Sequence, residues 1–367
     1  MTLTYLDYNA TAPVWPDVVE AVSRALTLRG NASSVHGDGR AARRLVEESR
    51  EKIAEVVNAS PNQVVFTSGG TEANNLAMRQ TESENAVVSQ IEHESVLHCA
   101  RTDIQLPVNA DGVIDLEDFS GERVGLVSVM LANNETGVVQ PVKKLAAKCG
   151  ERGIIVHTDA IQAVGKISVD FKDLGVQMMS LSAHKLGGPQ GVGALVLDSA
   201  HDFAPLLGGG GQERGRRAGT ENVPGIVGFG VAAELVKRNF DMMQQVKSLR
   251  ETLEHRLLKI DPSIKIHGGH AERLPNTVCV SMPGVASETQ VMNMDLAGIM
   301  VSAGSACSSG KVTRSHVLRA MGLDDANASS AIRISLGWHS TLDDVEKFLT
   351  TWQDLHTRAG SLQATAA

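Results

Sequence analysis

Gln63-Val64-Val65-Phe66-Thr67-Ser68 is a short run of strand-forming residues, and Thr71-Glu72-Ala73-Asn74-Asn75-Leu76-Ala77-Met78-Arg79 directly after it has helical character. The exchange repeats along the chain: AVVSQ (86–90) precedes HESVLHCA (93–100), GLVSVML (125–131) precedes VKKLAAKCGERG (142–153), and IIVHTD (154–159) and VGALVL (192–197) follow. Alternation of this kind predicts an α/β architecture, a mostly parallel sheet with helices on both faces. Such a sheet binds its ligands beyond the carboxyl ends of the strands, where the loops gather.

Outward from that core, two helical segments precede it, Asp17 to Leu28 and Arg40 to Val57, the second with apolar residues at helical spacing. After Gly230 the pattern changes. One long helical region (231–260) leads into strands SIKIH, TVCVSM, MVSAG and AIRISL, with helices SETQVMNMDLAGI and LDDVEKFLTTW among them. This predicts a smaller α+β C-terminal domain: a large domain over 15–243, and a small one made of 1–14 and 244–367. The tail SLQATAA has little to bury and is expected to fray.

At 367 residues the chain can bury a substantial core. Its formal charge of -8 and the lack of any long Lys/Arg run argue against a nucleic-acid partner. No signal-peptide pattern and no bilayer-length apolar run is present, so a cytoplasmic protein with no membrane partner is expected. The four cysteines, Cys99, Cys149, Cys279 and Cys307, form no Cys-x-x-Cys pair. That spacing supports neither a disulfide framework nor a metal cage, and leaves thiol chemistry.

Three segments carry candidate chemistry. In Ser182-Ala183-His184-Lys185-Leu186-Gly187-Gly188-Pro189 a lysine stands at a strand end, and a partly desolvated amine there can form a Schiff base with an aldehyde cofactor. A solvated surface lysine beside a turn has the same local sequence. In Ile154-Ile155-Val156-His157-Thr158-Asp159-Ala160-Ile161-Gln162 an apolar strand ends in an acid, the group that keeps a pyridine nitrogen protonated, although a helix N-cap reads alike. In Thr67-Ser68-Gly69-Gly70-Thr71-Glu72-Ala73-Asn74-Asn75 two glycines open a helix whose N–H groups suit a phosphate. The pattern is neither a Walker loop nor a dinucleotide fingerprint.

Together these motifs resemble the cysteine desulfurases of the NifS/IscS type, in the class V aminotransferase branch of fold-type I pyridoxal-phosphate (PLP) enzymes. The resemblance extends from Leu6-Asp7-Tyr8-Asn9-Ala10-Thr11 to Ile332-Arg333-Ile334-Ser335-Leu336-Gly337. It implies that Lys185 holds PLP and moves a proton, Asp159 pairs with the pyridinium, Gln162 bonds the ring's phenolic oxygen, and His93 stacks on the ring. Gly70, Thr71, Ser182 and His184 would hold the phosphate, with Thr220 reaching the phosphate of the neighbouring subunit in a homodimer. Asn134 would serve cofactor and substrate, and Arg333 would take the substrate carboxylate through its fork. Read singly, His93 and His184 could be structural histidines, and Arg333 could pair with a nearby acid.

Fold and cofactor leave the reaction open. Ser302-Ala303-Gly304-Ser305-Ala306-Cys307-Ser308-Ser309-Gly310 surrounds a cysteine with small residues, as expected of an exposed loop, whereas Cys279 in Thr277-Val278-Cys279-Val280 reads as buried and inert. The segment resembles the longer cysteine loop of one desulfurase group. It implies attack of the Cys307 thiolate on the sulfur of L-cysteine, giving alanine and a persulfide for a protein sulfur acceptor, with His93 moving protons near the substrate thiol. A selenocysteine lyase or another β-eliminating enzyme would share the cofactor residues, and a non-catalytic scaffold would share the fold. The chain ends soon after its last helical segment, without the longer extension of some housekeeping relatives. The acceptor is therefore left open among an iron–sulfur scaffold, a tRNA-modifying enzyme and another sulfur carrier.

Overall fold

The structure, a computed structural model, describes residues 3–81, 85–100, 104–116, 124–198, 203–304 and 314–366. Its principal sheet has seven strands in the order Val64–Thr67, Gly193–Leu197, Met178–Ser182, Ile155–Asp159, Leu126–Ser128, Ala86–Ser89 and Gln105–Leu106. All neighbouring pairs are parallel except the two that Gly193–Leu197 makes, which are antiparallel. Residues 183–192, the link from Met178–Ser182 to that strand, are too few for a crossover helix, so the chain turns straight back.

Alternate side chains of these strands enter different cores. Val64, Phe66, Val127, Val156, Met179, Leu181 and Val196 join the face covered by helices Pro16–Leu26, Gly37–Val56 and Val223–Arg238. Val65, Leu126, Met178, Leu195 and Leu197 join the face covered by helix Gly70–Met78. Covering both faces explains why the strands read as unbroken apolar runs instead of alternating ones.

A four-stranded antiparallel sheet, Ser302–Ala303, Ala331–Ser335, Thr277–Ser281 and Lys265–Ile266, has its own core with helices Met242–Ile260 and Leu342–Ala366, centred on Leu253, Val280, Ile334, Phe348 and Trp352. Leu6 enters this core, because Thr4–Tyr5 pairs in parallel with Ile299–Met300. Three local expectations are corrected. The single long helical region is two helices, Val223–Arg238 and Met242–Ile260, and HESVLHCA supplies only the turn Glu94–Leu97. The last helix runs to Ala366, where fraying was expected.

Candidate active site

Strands Ile155–Asp159 and Met178–Ser182 end side by side, and helix Gly70–Met78 begins at the same edge of the sheet. A cavity of about 260 Å3 opens there. Gly70, Thr71, His93, Asn134, Asp159, Gln162, Ser182, His184, Lys185 and Arg333 all line it. Thr220 is exposed and is not among the lining residues, and Cys307 lies outside the described residues.

Lys185 closes a 3-10 turn, Ala183–Lys185, and its Nζ donates to the carbonyls of Asn9 (2.5 Å) and Ala10 (2.7 Å). The turn is pinned from behind. Trp15 and Trp338 stack at 4.2 Å, Trp15 Nε1 donates to the Leu186 carbonyl, and Gly187 adopts φ +76° beneath the two indoles. A Cβ at Gly187 would lie 2.6 Å from Trp15 Cδ1, so only glycine meets both the dihedral and the packing.

Asp159 is buried at its strand end. Its Oδ2 accepts from Asn74 Nδ2 at 2.7 Å and its Oδ1 from the Ile161 N–H at 3.0 Å, which keeps it an acceptor facing the cavity wall. Asn74 Nδ2 also donates to Ser95 Oγ (2.9 Å), and Ser95 Oγ lies 2.7 Å from His93 Nδ1. The backbone N–H of Ser95 donates to the same Nδ1 at 3.1 Å. An N–H meets a ring nitrogen only as a donor, so neutral His93 carries its proton on Nε2. Asn74 and Ser95 thus couple the acid to the histidine, a link the sequence reading missed; Asn74 stood inside the quoted glycine motif, and Ser95 two residues after His93.

His184 is held neutral, its pKa pushed down to about 4 by burial and then by adjacent Lys185, with Nδ1 3.2 Å from Thr11 Oγ1. Gln162 donates from Nε2 to the Asn9 carbonyl (3.0 Å) and accepts at Oε1 from Lys166 Nζ (2.6 Å). Arg333, fully buried in the middle of its strand, donates through Nη2 to Asp7 Oδ1 (2.8 Å) and through Nη1 to the Asn134 carbonyl (3.0 Å). Among the described residues its buried Nε has no hydrogen-bond partner. The nearby-acid reading of Arg333 therefore holds, with Asp7 as the acid, and the residue also lines the cavity.

Two buried carboxyls were not foreseen. Burial raises Glu92 to about 8, although Ser89 Oγ and the Met130 N–H both donate to its Oε1. Burial likewise raises Glu135 to about 7, with Ser315 Oγ donating at 2.5 Å. Cys279 is fully buried and its thiol is pushed far up by that burial, the inert environment expected of it.

The residue set fits a phosphorylated pyridine aldehyde. The first N–H groups of helix Gly70–Met78 have no intrahelical acceptor, and the backbone there is bare because a Cβ on Gly70 would sit 2.2 Å from Ile161 Cδ1. An amine, a buried carboxylate and a guanidinium line the same cavity.

The aminotransferase class-V family model matches residues 4–348. A cysteine desulfurase of Nostoc sp. is 41% identical, over 99% of this chain and 95% of its own. Among solved structures, a NifS-like protein from Rickettsia africae superposes with a TM-score of 0.90 at 34% identity, covering 97% of this chain and all of its own. A structure described as SspA in complex with cysteine superposes at 0.78 with 31% identity, covering 92% of this chain and all of its own. The fold is that of the fold-type I enzymes, and the chain belongs to the aminotransferase class-V family, among its cysteine desulfurases.

Proposed function

We propose that this chain removes the sulfur of L-cysteine with PLP held at Lys185, yielding alanine and a persulfide on Cys307. The observation that carries the reading is the convergence of the Lys185 amine, the Asp159 carboxylate and the start of helix Gly70–Met78 on one cavity. A relative solved with cysteine supports the substrate.

When bound, PLP supplies an electron sink that makes the substrate Cβ–S bond labile. Asp159, whose oxygens accept from Asn74 and the Ile161 N–H, would pair with the protonated pyridine nitrogen. Gly70, Thr71, Ser182 and His184 would hold the phosphate, His184 as a neutral donor. Arg333, steadied by Asp7, and Asn134 would orient the substrate carboxylate. Lys185, whose ammonium rests between two carbonyls, would leave them to hold the cofactor and later to move the Cα proton. His93, with its proton on Nε2, would exchange a proton near the substrate thiol. The Cys307 thiolate would attack the substrate sulfur. One S–S bond forms as Cβ–S breaks, and the electron pair left on Cβ takes a proton to give alanine.

The proposal includes a large domain over 15–243 and a small one of 1–14 and 244–367, supported by their separate sheets and cores. It also includes a cytoplasmic homodimer in which Thr220 reaches the partner's phosphate site, and a protein sulfur acceptor. Mass spectrometry after brief exposure to L-cysteine tests the core of it: one added sulfur is expected on the peptide containing Cys307. Alanine release by Cys307→Ala at the wild-type rate would overturn the nucleophile.

A further inference from the structure

Lys166 lies just beneath the cavity and none of the roles above uses it. Its side chain is buried, 8% exposed, and its Nζ donates to Asn9 Oδ1 (2.7 Å) and Gln162 Oε1 (2.6 Å). Both acceptors are neutral amide oxygens, and among the described residues no carboxylate lies within ion-pair distance of it. A buried lysine facing two amides has a directional consequence. An amine can donate to the oxygen end of an amide but not to its NH2 end. Gln162 must therefore turn its carbonyl oxygen down to Lys166 and its NH2 away, where Nε2 donates to the Asn9 carbonyl (3.0 Å). The same carbonyl receives Lys185 Nζ. Lys166 also holds the Asn9 side chain, together with Asn276 Nδ2 (3.1 Å).

We propose that Lys166 is a positioning residue that locks the amide of Gln162 so that the cavity is offered an N–H donor and not a carbonyl. The acceptor would be an oxygen anion on the ring of the bound cofactor. This rests on the proposed function. Burial, then the like charges of Lys185 and Arg333, pushes the Lys166 amine well below its ordinary pKa. Protonated or neutral, the amine has at least two N–H groups for the two oxygens it meets at 2.7 and 2.6 Å. Without Lys166 the buried Gln162 Oε1 loses its donor and the amide is free to rotate, presenting an oxygen to the ring's oxygen.

The test is a PLP titration of the cofactor-depleted protein followed by visible absorbance, in Lys166→Met, Gln162→Ala and the double variant. One lost hydrogen bond to a charged group corresponds to a roughly tenfold or greater weakening of PLP binding in K166M, accompanied by a displaced absorption maximum. In the Q162A background the same substitution should change binding less than about twofold, because its effect runs through Gln162. Equal effects in both backgrounds, or PLP binding and an absorption maximum in K166M that match wild type, would overturn the inference. Should K166M fail to fold, Lys166→Gln carries the same comparison, its shorter side chain reaching at most one of the two amide oxygens. A wild-type protein that forms no visible band with PLP is a different result, and it removes the proposed function itself.

Discussion

Replacing Asp7 by Asn removes one charge while keeping the local geometry. Asp7 Oδ1 accepts from Arg333 Nη2 at 2.8 Å and Oδ2 accepts from Ser302 Oγ at 2.8 Å. An asparagine can keep its oxygen toward Arg333 and turn its NH2 toward Ser302, whose hydroxyl can rotate to accept. What is lost is the Coulomb term. The arginine side chain is 2% exposed and the aspartate 17%. Opposite charges about 4 Å apart attract by roughly 4 kcal/mol at an effective dielectric of 20, and breaking a buried pair from one side typically costs about 3–5 kcal/mol. Allowing for the partial exposure of Asp7, D7N should lose about 3 kcal/mol in equilibrium urea unfolding. Because the guanidinium is then uncompensated, a simple carboxylate such as propionate should restore part of that loss in D7N and much less in wild type. A loss below about 1 kcal/mol would refute the reasoning on the pair. An equal response of both proteins to the carboxylate would refute the claim that Arg333 is open to one.

Two further outcomes are expected. As far as three buried histidines and two buried carboxyls decide it, stability should be greatest near pH 6.5 and fall on both sides. His157, His184 and His267, depressed chiefly by burial to about 3, 4 and 4, stay neutral in the folded state while their unfolded forms protonate below 6.5, so their contribution is lost as pH falls. Glu92 and Glu135, raised to about 8 and 7, keep a proton that their unfolded forms shed above 4.5, so theirs is lost as pH rises. Each unmatched proton contributes a slope of about 1.4 kcal/mol per pH unit. Urea midpoints across pH 4–8 check this: Glu92→Gln should remove about 1.4 kcal/mol per pH unit of the loss between about pH 4.5 and 8, and a slope unchanged by that substitution would contradict it. Gly187→Ala should destabilise by at least about 2 kcal/mol, from the left-handed backbone and the clash with Trp15, and, on the proposed role of Lys185, should weaken the visible band formed on adding PLP. Unfolding and absorbance titrations on the variant decide both.

The sequence made some parts of this site readable and hid others for a physical reason. Lys185, Asp159 and Gly70 were found because each stands at a strand end or helix start that local residues mark. Asn74, Asn9, Lys166 and Asp7 act through partners separated by 85, 176, 157 and 326 positions, and no local pattern records such pairings. The sheet was readable from its alternation, but an apolar run carries no direction, so the reversal of Gly193–Leu197 was not. The break at residues 239–241 was hidden because helical composition continues on both sides of it.

The segment Thr4–Ala12 is sewn into place at several points. It pairs with Ile299–Met300, bridges Ser335 through Asp7 and Asn9, and takes the His184 carbonyl at Ala12. Those partners are translated long after the segment that needs them. While the ribosome is still working, the carbonyls that receive Lys185 have no seat, and the seven-stranded sheet can assemble with its cavity lacking a wall. The last stitch joins the earliest residues to late ones, so a nascent chain stalled before residue 335 should be structured yet unable to retain a ligand.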